Sequence, residues 1–256
     1  MTELIKINGI HLNTEVKGNG KPLLLIHGVG GNHKQMDVIA NPLSEIYRTI
    51  SLDLRGHGAS SKPIEYTLQD HIQDVLAVMD YYHIENTYLL GASMGSYVAQ
   101  GIAIASPERI KKMILTVPKS NGATSSVQRL LTEHKKEIEG KNFHDSVLIL
   151  LKYCVYDPEK MKAYTDLLET GLTPEEFAAA NKAIAGFDFR KDLPKVKAET
   201  LIISGAYDGL NPVEEGREIA SLIPNARFIE MKFSGHAPMY EEPELYLSYV
   251  ENFLAS

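Results

Sequence analysis

Six short apolar runs divide this chain, and their order limits what it can fold into. They are PLLLIHG (22–28), RTISLDL (48–54), NTYLLGAS (86–93), KKMILTVP (111–118), ETLIISG (199–205) and ARFIEMKF (226–233). Runs such as PLLLI, apolar on consecutive residues, read as strands buried on both faces of a parallel sheet. Between several of them lie segments of helical periodicity. In residues 67–82, Ile72, Val75, Leu76 and Met79 recur at helical spacing, Thr67 is a candidate N-cap and Asp70 falls in the first turn. MGSYVAQGIAIASPERI (94–110) reads as another helix, rich in small residues. Residues 33–46 can form a helix interrupted at Asn41-Pro42, and helices are expected at 212–222 and 242–254. Strand and helix in this alternation predict a doubly wound, mostly parallel α/β sheet. Ahead of it, ELIKINGIHLNTEVKG (3–18) reads as two strands joined at Asn8-Gly9, a hairpin signal. Eight strands are expected in all.

The rhythm breaks between about Lys119 and Lys195. Four helix-like segments occupy that stretch, near 126–139, 143–156, 158–169 and 174–186. Asp157-Pro158 offers an N-cap followed by proline at the first helical position. Thr173-Pro174-Glu175-Glu176 adds a capping box to the same arrangement. The expected organisation is therefore one α/β core, residues 1–118 and 196–256, with a helical segment, 119–195, inserted after the sixth strand.

The chain has 256 residues, which one α/β domain can accommodate. A net charge of −7 argues against nucleic acid and anionic membrane surfaces as partners, since both need a basic footprint. Cys154 is the only cysteine, so an intrachain disulfide is impossible. The opening residues lack the apolar stretch of a signal peptide, and no run of 18 apolar residues could span a bilayer. The expected location is the cytoplasm.

At LLGASMGSYVAQ (89–100), Ser93 stands between Gly91 and Gly95 where an apolar run ends and a helical pattern begins. A serine at such a junction occupies a sharp, strained turn, and side chains two residues to either side would crowd it. The turn presents the hydroxyl at the carboxyl ends of the strands, where open α/β sheets bind ligands. The following helix aims its N-terminus at the same place, which favours developing negative charge.

Serine needs a general base, and the base needs an orienting acid. Of nine histidines, His236, in FSGHAPMYEEPE, lies on the loop after the last strand and is the expected base. His27 is expected to order its own loop, and His57, in a glycine-rich turn, could lie near the site. For the acid, the loop KSNGATSS (119–126) offers no carboxylate, whereas AYDGLNP (206–212) offers Asp208. An oxyanion hole requires two donors. The expected pair is the N–H of Met94, after the nucleophile, and the N–H of Val29 in HGVGGN, where glycines let backbone approach a ligand. HGVGGN lacks the phosphate-loop patterns. Neither a metal nor a cofactor is called for. Leu148, Leu151, Tyr153, Met161 and Phe187 could line an apolar pocket, though most are expected to pack the inserted helices against the sheet. Cys154 is expected to be buried and inert.

Taken together, HGVGG (27–31), DLRGHGASSKP (53–63), GASMG (91–95), GAYDGLNP (205–212) and GHAPMYEEPE (235–244) resemble the α/β-hydrolase superfamily, in that family's order. The resemblance implies that Ser93, Asp208 and His236 form a catalytic triad. It also implies that 119–195 is a lid over the active site, and that Asp53 and Arg55 brace loops beside it. Haloalkane dehalogenases and epoxide hydrolases of the family carry Asp at the nucleophile position, so their reactions are not implied here. The set is similar to small esterases and enol-lactonases. That points to hydrolysis of a small carboxylic ester, lactone or thioester, with C–C bond hydrolysis, cofactor-free perhydrolysis or slow-turnover ligand sensing as alternatives on the same triad.

Overall fold

The structure, a computed structural model, describes residues 1–161, 165 and 171–256. Among these residues the strands are β1 (Thr2–Ile7), β2 (Ile10–Lys17), β3 (Pro22–Ile26), β4 (Arg48–Leu52), β5 (Thr87–Ala92), β6 (Ile110–Thr116), β7 (Glu199–Gly205) and β8 (Ala226–Met231). They form one sheet in the order β1-β2-β4-β3-β5-β6-β7-β8. The β1–β2 and β2–β4 pairs are antiparallel and all others parallel. The order reverses beside β3, so the loops leaving β3 and β5 open a crevice at the carboxyl edge. Asn8 and Gly9, both at positive φ (50° and 79°), make the tight turn of the β1–β2 hairpin.

The helices are α1 (Asp37–Leu43), α2 (Leu68–Tyr81), α3 (Met94–Ala105), α4 (Ser126–Glu133), α5 (Lys135–Ile138), α6 (Phe143–Leu151), α7 (Pro174–Ala183), α8 (Val213–Leu222), α9 (Pro238–Glu241) and α10 (Pro243–Ala255). The alternation of side chains along β3 explains the layering. Leu24 and Ile26 pack with Ile72, Val75 and Met79 of α2, Val98 and Ile102 of α3, and Ile219 of α8. Leu23 and Leu25 face the other way, onto Ile39 and Leu43 of α1 and Tyr246 and Val250 of α10. A strand enclosed on both faces has to be apolar throughout, which is why β3 reads PLLLI.

Two local signals are realised as expected. Thr67 and Asp70 form a capping box at the start of α2, and Thr173 and Glu176 form one at the start of α7. The segment 33–46 differs from expectation. A 3₁₀ turn over His33–Met36 leads into α1, which runs through Asn41-Pro42. Pro42 lies in the last turn, where its missing N–H costs one bond and the chain is about to leave the helix anyway.

Between β6 and β7 the described residues carry helices and no strand of the sheet. The two ends of this segment are tied together: Gly122 N–H donates to Phe187 O (2.7 Å) and Phe189 N–H to Ser120 O (3.0 Å). Of the helix expected over 158–169, Pro158–Met161 is a 3₁₀ turn, with Glu159 N–H donating to the Asp157 carboxylate at 3.1 Å. The remainder of that expectation, Thr165 excepted, lies outside the described residues. Among the described residues no helix is long and apolar enough to cross a membrane.

Candidate active site

Ser93 joins β5 to α3 with φ 53° and ψ −120°, a conformation that L-residues rarely adopt. Its backbone is held from both sides. Its N–H donates to Thr116 O on β6 (2.9 Å), and its carbonyl accepts from the N–H (2.8 Å) and hydroxyl (2.6 Å) of Ser96. The flanking glycines leave no space for side chains. A Cβ on Gly91 would stand 2.2 Å from Gly95 O, and one on Gly95 would stand 2.2 Å from Ile26 O. The strained turn therefore depends on backbones packed closer than any other residue allows.

The structure brings Ser93, His236 and Asp208 into one hydrogen-bonded row. The Ser93 hydroxyl donates to His236 Nε2 at 2.9 Å. His236 Nδ1–H donates to the Asp208 carboxylate, with Oδ2 at 2.8 Å and Oδ1 at 2.9 Å. Asp208, on the loop after β7, is fixed by two more donors, the N–H groups of Leu210 (2.8 Å) and Asn211 (2.9 Å), both to Oδ1. The Asp208 side chain is sealed from solvent and His236 is nearly so. An ionised carboxylate in that position holds the imidazole proton on Nδ1 and leaves Nε2 free to accept.

Val29 lies on the wall of the same site, and Met94 opens α3 immediately after Ser93. Neither backbone N–H donates to another group among the described residues, so both are available to a developing oxyanion. The Val29 loop is oriented by His27, as expected. Leu54 N–H donates to His27 Nε2 (3.0 Å), which puts the ring proton on Nδ1 to bond Gly28 O (2.7 Å). Burial lowers the pKa of His27, in keeping with a neutral ring.

Asp53 and Arg55 anchor the loops around this edge. Asp53 accepts from His33 N–H (2.7 Å), His33 Nδ1 (2.8 Å), Asn13 Nδ2 (2.9 Å) and Ala59 N–H (2.8 Å). Burial works against its ionisation, but the bonds from His33 and Ala59 prevail and hold its carboxyl far below the usual range. Arg55 makes a two-point pair with the buried Asp74, both bonds at 2.8 Å. His57 does not line the site. It lies buried with its ring 5.2 Å from that of His27 and 6.3 Å from that of His71.

The row opens into a cavity of about 580 Å³. Leu148, Leu151 and Phe187 of the inserted segment line it; Tyr153 and Met161 do not. Tyr153 instead stacks on His134, with ring centroids 3.6 Å apart, and Met161 is wholly buried in the core packing. Leu151, Tyr153, Met161 and Phe187 all pack against the core clusters, in line with the expectation, and Leu151 and Phe187 face the cavity as well. Cys154 is buried, and burial pushes its thiol up to about 12, so it is unreactive as expected.

Three participants escaped sequence reasoning. Tyr97 lines the cavity with its hydroxyl facing the Ser93 side chain, and it accepts from Asn211 Nδ2 at 2.9 Å. Its spacing of four residues from Ser93, one helical turn, was the signal that could have found it. Asn211 Nδ2 also reaches Val117 O at 2.7 Å. Glu241 is buried and accepts from Gly235 N–H (2.6 Å), Tyr156 N–H (2.6 Å) and Asp157 N–H (3.3 Å). Together with the bond from His236 N–H to Cys154 O (2.6 Å), this fastens the histidine loop to the inserted segment.

A family model for the α/β hydrolase fold matches residues 21–143. The chain has the α/β-hydrolase fold. Relatives align with it over most of their lengths. The AB hydrolase superfamily protein YisY of Bacillus subtilis is 27% identical, over 95% of both chains. The pimeloyl-(acyl-carrier protein) methyl ester esterase of Aliivibrio salmonicida is 25% identical, over 94% of both. The crystal structure of the enol-lactonase from Burkholderia xenovorans superposes on this chain with a TM-score of 0.86 and 25% identity, covering 99% of this chain and all of that one.

Proposed function

We propose that this protein is a serine hydrolase that cleaves small carboxylic esters or lactones through an acyl-enzyme on Ser93. The observation that carries the reading is the row from Asp208 through His236 to Ser93, facing a cavity of small-molecule size. Ser93 Oγ attacks the carbonyl carbon while its proton passes to His236 Nε2. Asp208 holds the imidazole in the accepting tautomer and stabilises the imidazolium that forms. The N–H groups of Val29 and Met94 receive the oxyanion, each contributing about 3 kcal/mol to the transition state. The tetrahedral intermediate then collapses, the C–O bond to the leaving group breaks, and His236 returns the proton to the departing oxygen. Water repeats the sequence on the acyl-enzyme and releases the acid and Ser93.

In this reading residues 119–195 act as a lid that limits water and shapes the cavity. Two relatives favour an acyl group carried on oxygen: one is named for a methyl ester and one for an enol-lactone. The test is hydrolysis of p-nitrophenyl esters of increasing acyl length. Wild type should turn over the short esters, and Ser93→Ala should lose about 10⁴-fold or more in kcat with an unchanged melting temperature. Turnover in Ser93→Ala equal to that of wild type would remove Ser93 from the scheme.

A further inference from the structure

The cavity over Ser93 has a mostly apolar lining, and among the described residues no carboxylate lines it. Lys119 is the one Lys or Arg in that lining. It is only 6% exposed, on the loop after β6. Its ammonium donates to Thr124 O (3.1 Å) and to Ser126 Oγ (3.3 Å), and both of those residues line the same cavity. Both acceptors are neutral. The carboxylate that faces it, Glu215 Oε1 on α8, stands 4.0 Å away, outside hydrogen-bond distance and outside the lining. The third ammonium proton therefore has no acceptor at hydrogen-bond distance among the described residues. Burial lowers the pKa of Lys119, as expected for a cation taken out of water with incomplete compensation.

A buried ammonium is costly unless an anion answers it. If Lys119 only braced the loop, Glu215 at 4.0 Å would be its sole compensating anion among the described residues and one ammonium proton would stay without an acceptor there. A polar row also runs from Lys119 to the reacting centre. Ser126 Oγ donates to Asn211 Oδ1 (3.3 Å), Asn211 Nδ2 donates to the Tyr97 hydroxyl, and Tyr97 faces Ser93. Lys119 and Ser93 thus line a single cavity and are joined by one row of polar groups.

We propose that Lys119 sets specificity: the cavity takes esters or lactones that also carry a free carboxylate, and the Lys119 ammonium receives it. This rests on the ester-hydrolase reading of Ser93. The chemistry is that of a carboxylate, because one lysine answers one unit of charge, whereas a phosphate dianion calls for further cations or a guanidinium fork.

The test measures binding in the Ser93→Ala protein, where turnover cannot interfere. Two series of probes are compared with neutral esters of matched length: monomethyl esters of C4–C8 dicarboxylic acids, and O-acetyl esters of ω-hydroxy acids. In at least one series the carboxylate should lower Kd about tenfold or more, the effect of one charge-assisted hydrogen bond. Adding Lys119→Met should bring the charged-to-neutral ratio close to one, and Lys119→Arg should retain most of it. A bracing role would change both Kd values in parallel and leave the ratio intact. Glu215→Gln provides a variant with Lys119 in place. Removing the competing carboxylate should enlarge the preference for charged probes.

A ratio near one in both series, a ratio that survives Lys119→Met, or a ratio that falls in Glu215→Gln would each overturn the proposal. Parallel assays with Ser93 intact separate the two readings. Hydrolysis of neutral esters without charge preference defeats the Lys119 assignment alone. Lys119-dependent binding with no hydrolysis of any probe defeats the hydrolase reading.

Discussion

The strand ends of the sheet and the helices inserted above them treat the same residue type very differently. A Cβ on Gly95 would collide with Ile26 O at 2.2 Å, whereas one on Gly140, between α5 and α6, would meet nothing within 4 Å. Likewise Asp208 and His236 are enclosed, while among the residues of α4 and α5 Leu130 is the one that is buried. The contrast reflects two tasks. In the proposed mechanism proton transfer requires three side chains held at hydrogen-bond distance, so their supports are packed backbone to backbone. A cavity wall needs only to exclude water and fit a ligand, and loosely packed helices can meet that need with many sequences.

Four predictions would break or sharpen this contrast. Gly95→Ala should be the most damaging. The clash is with main chain that cannot rotate away, so a loss of about 3 kcal/mol or more is expected, along with displacement of Ser93 and loss of turnover. A melting temperature within error of wild type would mean the strand ends are less rigid than their geometry implies.

The second concerns acid. His57 and His71 are buried beneath the site loops, and neither ring nitrogen of His71 has a hydrogen-bond partner among the described residues. Burial pushes both rings down to about 3. The unfolded chain titrates near 6.5 and so takes up protons first. This stabilisation is complete above that pH and is lost progressively as pH falls from about 6.5 toward 3. By pH 5 the loss should be about 2 kcal/mol for each ring. Denaturant melts at pH 7.5 and 5 measure it, and His71→Phe should remove one share of the slope. A stability that is flat over this range would contradict the account.

Third, Glu241→Ala strips one buried and two part-buried N–H groups of their acceptor and should cost about 2 kcal/mol. Turnover should fall as well, because Gly235 adjoins His236, and Glu241→Gln should recover part of both. A loss of stability with unchanged turnover would show that the link between histidine loop and inserted segment does not support the site. The smallest effect is expected from Gly140→Ala. There the only penalty is a positive φ of 73°, worth about 1 kcal/mol, and activity should be unchanged. A loss as large as that of Gly95→Ala would erase the distinction between the two regions.

The same contrast explains what could be read from the sequence. Gly91, Ser93 and Gly95 were legible because a strained turn restricts residue type at fixed offsets. Asp208 and His236 were legible because a doubly wound sheet delivers its functional residues at strand ends, and few carboxylates and histidines sit there. The strands were legible from burial on both faces. Illegible were contacts closed by chain segments far apart in sequence. Glu241 meets Tyr156 across 85 positions and Asn211 meets Tyr97 across 114. Lys119 carries no sequence signal of its own, and the fold is what places it in the cavity lining. In the inserted segment, apolar residues suit a cavity wall and a packing face equally well, so Tyr153 and Leu151 could not be told apart without the fold.

The central claim is that Ser93 is an activated nucleophile, and intact mass after incubation with a fluorophosphonate tests it most directly. The account predicts one label per chain in wild type and none in folded Ser93→Ala. Equal labelling of both proteins, or none in folded wild type, would contradict it.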